Sequence, residues 1–88
     1  MKIDKQYILR QIAGDYVIIP AGKTTLEFNG MYTVNEQGAF LWKQLGAEIT
    51  EEKLVDAVLE EYEIDRQPAQ ADVAEFLAIL RLCKMLNE

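Results

Sequence analysis

Histidine and serine are both absent from the 88-residue chain. That removes Ser-His and Cys-His nucleophile pairs and histidine metal ligation together. The single cysteine, Cys83, has no partner for an internal disulfide or a structural zinc site. It falls in an apolar helical pattern and reads as a small buried hydrophobe rather than a reactive thiol. The five glycines, Gly14, Gly22, Gly30, Gly38 and Gly46, are scattered, so no glycine-rich phosphate loop is present. No run approaches the roughly 18 apolar residues of a membrane span. The opening "MKIDKQYILR" carries Asp4 and no unbroken apolar stretch, unlike a signal peptide. A cytoplasmic protein with no membrane contact, no cofactor and no metal is the expectation.

Carboxylates are plentiful, yet "TEEKLVDAVLEEYEID" spaces them like the solvated face of a helix. Paired-carboxylate catalysis needs two of them desolvated in a cleft with separated pKa values. The chain is therefore expected not to be an enzyme. The net charge of −6 is uneven: residues 1–50 hold five basic and five acidic side chains, residues 51–88 four and ten. Nucleic-acid binders need a basic patch to displace counterions from phosphate. The second half of this chain has the wrong sign, so no nucleic-acid partner is expected.

Length bounds the chain to one domain, residues 1–88, with a single modest core. "QYILRQIAGDYVIIPA" holds two β-rich runs, about 7–13 and 15–20, around the tight-turn signal Gly14-Asp15. Pro20 ends the second run or confines it to an edge. A third run, residues 26–34, is interrupted by Asn29-Gly30, which suits either a hairpin turn or a bulge in one strand. Together the strands occupy about 7–34.

Three helices follow, at about 36–45, 51–63 and 67–85. Asn35 suits the N-cap of the first, with Glu36 complementing its dipole and Gly46 at its C-terminal side. Thr50 caps the second, whose stripe is Leu54, Val55, Val58, Leu59 and Tyr62. Asp65 or Gln67 caps the third, with Pro68 in its first turn. On that helix Val73, Phe76, Leu77 and Leu80 share the core arc at about 100° per residue. Beside them lie Ile79, Leu82, Cys83 and Leu86, with Asp72 and Glu75 at the N-terminal end of the flank. That apolar face is wider than one small core needs. Either the helix is sandwiched between a sheet and other helices, or one flank is reserved for a partner.

Three antiparallel strands followed by three helices make an α+β domain of winged helix-turn-helix type. "ILRQIAGDYVIIP", "FNGMYTVNEQGAFLW", "TEEKLVDAVLEEYEID" and "ADVAEFLAIL" together resemble the PqqD-like family. That family is named for pyrroloquinoline quinone biosynthesis protein D, and its members are also called RiPP recognition elements. The likeness runs from about Tyr7 to Leu86, and Val34 to Trp42 is its most specific block. It implies a non-catalytic domain that binds the leader of a ribosomally made precursor peptide. The leader is presented to a modifying enzyme, often a radical S-adenosylmethionine enzyme.

In such proteins the leader adds as a strand beside the third strand and faces the third helix. Carried onto this chain, the peptide-binding residues are Met31, Tyr32, Thr33 and Val34 on the strand. On the helix they are Glu75, Ile79, Leu82, Cys83 and Leu86. The resemblance also favours a bend or bulge at Asn29-Gly30. Lys84-Met85-Leu86 departs from the family's Gly-Leu-Leu-like turn, so the helix either runs longer or packs its end differently. Two other classes fit similar architecture: a winged-helix DNA-binding domain, disfavoured by Asp72 and Glu75, and a homodimerisation module using Leu82.

Overall fold

The computed structural model describes residues 1–21 and 32–88. In chain order these form β1 (Lys2–Ile3), β2 (Tyr7–Ile12), β3 (Asp15–Pro20), β4 (Tyr32–Val34), α1 (Glu36–Gln44), α2 (Glu51–Glu61), α3 (Arg66–Leu82) and β5 (Leu86–Asn87). Strands β2, β3 and β4 make an antiparallel sheet in that order, and the helices pack on one of its faces. The α+β expectation holds. The Asn29-Gly30 pair and Met31 lie outside the described residues.

The β2–β3 hairpin turns one residue earlier than Gly14-Asp15 suggests. Ile12 pairs with Asp15, leaving Ala13 (φ 52°) and Gly14 (φ 88°) as the two central residues. Two successive positive φ values make a type I′ turn, whose twist matches that of the flanking strands. On the helix-facing side Ile18 and Val34 enter the main core, with Tyr16 and Tyr32 packed beside them.

The helix boundaries follow from their caps. Asn35 Oδ1 accepts from the Gly38 N–H at 2.8 Å, which ends β4 and begins α1. Thr50 Oγ1 accepts from the Lys53 N–H at 3.2 Å at the start of α2. Asp65 holds the N-cap position of α3 but makes no side-chain cap bond. The third helical residue there is Pro68, which has no N–H to offer a capping oxygen. Leu41, Leu45, Leu54, Val58, Val73, Leu77 and Leu80 are completely buried between the three helices and the sheet. Phe40 meets Tyr62 edge-on, with ring centroids 5.7 Å apart, joining α1 to the end of α2. Burial there, then the carboxylates of Glu36 and Glu61, push the Tyr62 phenol above its ordinary pKa.

Helix α3 ends at Leu82, three residues short of the expected 85, and the reason is local. The Met85 N–H donates to Leu80 O at 2.8 Å and the Lys84 N–H to Arg81 O at 3.1 Å. Lys84 has φ 58°. This is a Schellman turn, with Met85 buried as its apolar residue and lysine where glycine is usual. The chain leaves the helix there and Leu86 pairs with Ile3 in a two-stranded ladder, β1–β5. Gly46 follows α1, but its φ is not in the left-handed region.

The N-terminal strand laces the helix ends together. The Ile3 N–H donates to Leu45 O at 3.0 Å, and the Asp4 N–H to Met85 O at 2.8 Å. The carbonyls left open where α1 ends and α3 turns are satisfied in this way.

The seam between β4, α1 and α3 is tight at Gly38. A Cβ there would stand 3.0 Å from Val34 Cβ, 3.3 Å from Asn35 Oδ1 and 3.4 Å from Phe76 Cε1. Gly38→Ala is expected to lower unfolding free energy by about 1–2 kcal/mol, because crowding outweighs the gain in helix propensity. Lys84→Gly is expected to raise it by about 0.5–1 kcal/mol by relieving the left-handed lysine. Urea midpoints with unchanged slopes would measure both, and opposite signs would refute them.

Candidate functional site

Strand β4 pairs with β3 on one side, and among the described residues no strand pairs with its other side. The register shows which groups face out. A two-residue I′ hairpin closes on a hydrogen-bonded pair, here Ile12 with Asp15, and bonded and non-bonded pairs alternate from there. Tyr16 therefore points its backbone groups at its partner Val34, and Ile18 at Tyr32. Val17 and Thr33 form the non-bonded pair between them. The N–H and C=O of Thr33 thus point to the open edge, with the Thr33 side chain exposed. An exposed N–H and C=O on an edge strand are a template for another strand.

A groove of about 270 Å³ lies along this edge. Tyr32, Thr33 and Val34 form one bank, Asp72, Glu75, Phe76 and Ile79 of α3 the other, and Asn35, Gln37, Gly38 and Leu41 the floor. Seating depends on the local chain: Asn35 turns the strand into α1, and Gly38 lets Val34 and Phe76 approach. Ile79 is half-buried and Phe76 nearly buried, so the helical bank is apolar along its base. Asp72 is half-buried and Glu75 exposed on its rim. The groove is open to solvent and trough-like, unlike the enclosed pockets that bury most of a small ligand. Among the described residues, no three histidine, cysteine, aspartate or glutamate side chains converge as a metal site requires. Among the described residues no helix is long and apolar enough to cross a membrane.

Of the residues expected from sequence, Tyr32, Thr33, Val34, Glu75 and Ile79 come together in this groove. Met31 lies outside the described residues. Leu82, Cys83 and Leu86 do not line it. Cys83 and Leu86 would share the flank of Ile79 only in a continuous helix, and the turn at Lys84 breaks that continuity. Leu86 is instead in β5 opposite Ile3, and Cys83 is the half-buried C-cap of α3 packed against the core. Leu82 remains helical but is 83% exposed. Asp72, Phe76, Asn35, Gln37, Gly38 and Leu41 line the groove without having been assigned to it. Asp72 carried a usable signal, one turn before Glu75 and two before Ile79. Phe76 did not, because its periodicity places it equally well in the core, where its ring also packs.

A family model described as coenzyme PQQ synthesis protein D (PqqD) matches residues 15–86. No curated protein matches the chain. Among solved structures, TbiB1 in complex with the TbiA(beta) leader peptide superposes with a TM-score of 0.76 at 25% identity, covering 99% of this chain and 95% of that one. Lasso peptide synthetase B1, complexed with the leader peptide, gives 0.74 at 17% identity over 99% and 96% of the two chains, a likeness of fold. The family match takes in β3, β4, all three helices and Leu86, and so the whole groove. By that match, the chain belongs to the family of coenzyme PQQ synthesis protein D.

Proposed function

We propose that this chain is a non-catalytic adaptor for peptide maturation. It takes up the leader of a ribosomally synthesised precursor peptide as an added strand on β4 and presents it to a modifying enzyme. That enzyme is a radical S-adenosylmethionine enzyme or another peptide-modifying enzyme. The observation that carries this reading is the open Thr33 backbone edge facing the α3 bank across one groove. Main-chain pairing gives affinity tolerant of sequence, and alternate side chains of the added strand reach the groove to give selectivity. The leader-peptide complexes of TbiB1 and lasso peptide synthetase B1, which share this fold, support it. Ordering a flexible leader costs about 2–5 kcal/mol, which favours moderate affinity.

The DNA-binding reading has little to stand on, since Asp72 and Glu75 lie near the middle of α3 and repel phosphate. The dimer reading rests on Leu82, whose 83% exposure leaves a large apolar side chain beside the groove.

The test is titration with a synthetic leader from a precursor gene beside this one, followed by amide NMR. Shifts should concentrate on Tyr32–Val34 and on Asp72–Ile79; shifts confined to α2 and the β2–β3 hairpin would sink the site. Thr33→Pro removes the outward N–H while sparing the bonds to β3. It should abolish binding with the circular dichroism spectrum preserved. Ile79→Asp should weaken binding at least about tenfold, equivalent to about 1.4 kcal/mol. Retained affinity in both variants would refute the groove.

A further inference from the structure

The groove carries a charge pattern as well as a shape. Among the described residues, the carboxylate side chains that line it are Asp72 and Glu75, both on the α3 bank. Among the described residues no lysine or arginine lines it, and the ion pairs are Met1–Glu48, Arg66–Asp56 and Arg81–Glu88. Neither Asp72 nor Glu75 is therefore neutralised by a described neighbour. The nearest intrahelical cations, Arg66 and Arg81, are each engaged elsewhere, the first with Asp56 at 2.8 Å and the second with Glu88 at 2.9 Å. Beyond the acidic pair the same bank becomes apolar at Phe76 and Ile79.

Two carboxylates one helical turn apart stack on one side of α3. Ile79 follows Glu75 and Asp72 by one and two turns, a rise of about 6 to 10 Å at about 1.5 Å per residue. A strand advances about 3.3 Å per residue and presents alternate side chains to one side. One strand lying in the groove would thus meet the acidic pair and the apolar stretch with side chains two or four positions apart.

We propose that the groove selects an extended peptide carrying a lysine or arginine opposite Asp72 and Glu75. An aliphatic or aromatic residue two or four positions away packs on Ile79 and Phe76. This inference rests on the peptide-docking reading above and specifies the chemistry of its ligand. An acidic peptide is rejected at the same place, because its carboxylate would face the carboxylates of Asp72 and Glu75 with no described cation between them.

The experiment uses the full chain to select from a display library of random 12-residue peptides, with wild type, Asp72→Asn/Glu75→Gln, Asp72→Lys/Glu75→Lys and Thr33→Pro selected in parallel. Wild type should enrich a basic position paired with an apolar one at a spacing of two or four. The neutral variant should lose the basic preference and keep the apolar one; the lysine variant should replace it with Asp or Glu. For an enriched peptide synthesised with Lys or Glu at the selected position, wild type should prefer Lys by at least about fivefold in 50 mM salt, and less at high salt. The neutral variant keeps this decisive if the lysine variant fails to fold. Peptides lost with Thr33→Pro but showing no charge preference would overturn the charge inference and leave the docking reading standing. Equal recovery of the same peptides by Thr33→Pro would overturn the docking reading itself.

Discussion

The close approach of Val34, Gly38 and Phe76 is the contact on which the rest of the site depends. A strand and a helix meet there with no connecting loop, because Asn35 ends one and caps the other through its bond to the Gly38 N–H. Gly38 contributes no side chain, so α3 can lay Phe76 against the junction instead of being held away from it. The distance between the open edge of β4 and the α3 bank follows from that one seam. A strand and a helix joined by a longer loop would hold the same residues at a variable distance, and the trough would have no defined width.

The opposite end of α3 is held by a different device. The turn through Lys84 buries Met85, reverses the chain into β5, and brings its backbone within reach of the N-terminal strand. Ile3 and Asp4 then serve as hydrogen-bond donors to the ends of α1 and α3. Ile3 in β1 and Asp4 just after it thereby tie the ends of two helices together with little added core. The groove reaches along α3 as far as Ile79, while Leu82 in the last turn of the helix stands out in solvent.

Much of this was legible because it is local. Asn35 and Thr50 are caps that sequence identifies by residue type, and the Leu54, Val55, Val58 stripe and the Val73, Phe76, Leu77, Leu80 arc are buried as their spacing predicts. What escaped has no periodicity to detect. Two-residue strands such as β1 and β5 carry no alternation, and their pairing joins the two ends of the described chain. The left-handed residues Ala13 and Lys84 show no glycine or asparagine that would signal a positive φ. The helical flank was overextended for that second reason: nothing in Lys84-Met85-Leu86 reads as a helix stop. Five of the nine residues that the family resemblance assigns to the site share the groove, and the i, i+4 spacing of Glu75 and Ile79 puts those two on one side of α3.

The edge position of β4 has a thermodynamic side. Among the described residues it is paired with β3 alone, so a ladder on its other side would be a new one. In the proposed role the peptide becomes a further strand of the sheet, and whatever binds the folded form alone shifts folding by mass action. At a hundred times its dissociation constant such a ligand adds about 2.7 kcal/mol to the stability of its host. That is a sizeable fraction of the roughly 5–15 kcal/mol typical of a small domain. Cargo would then double as a folding cofactor, and the lifetime of the adaptor against proteolysis would follow the supply of precursor.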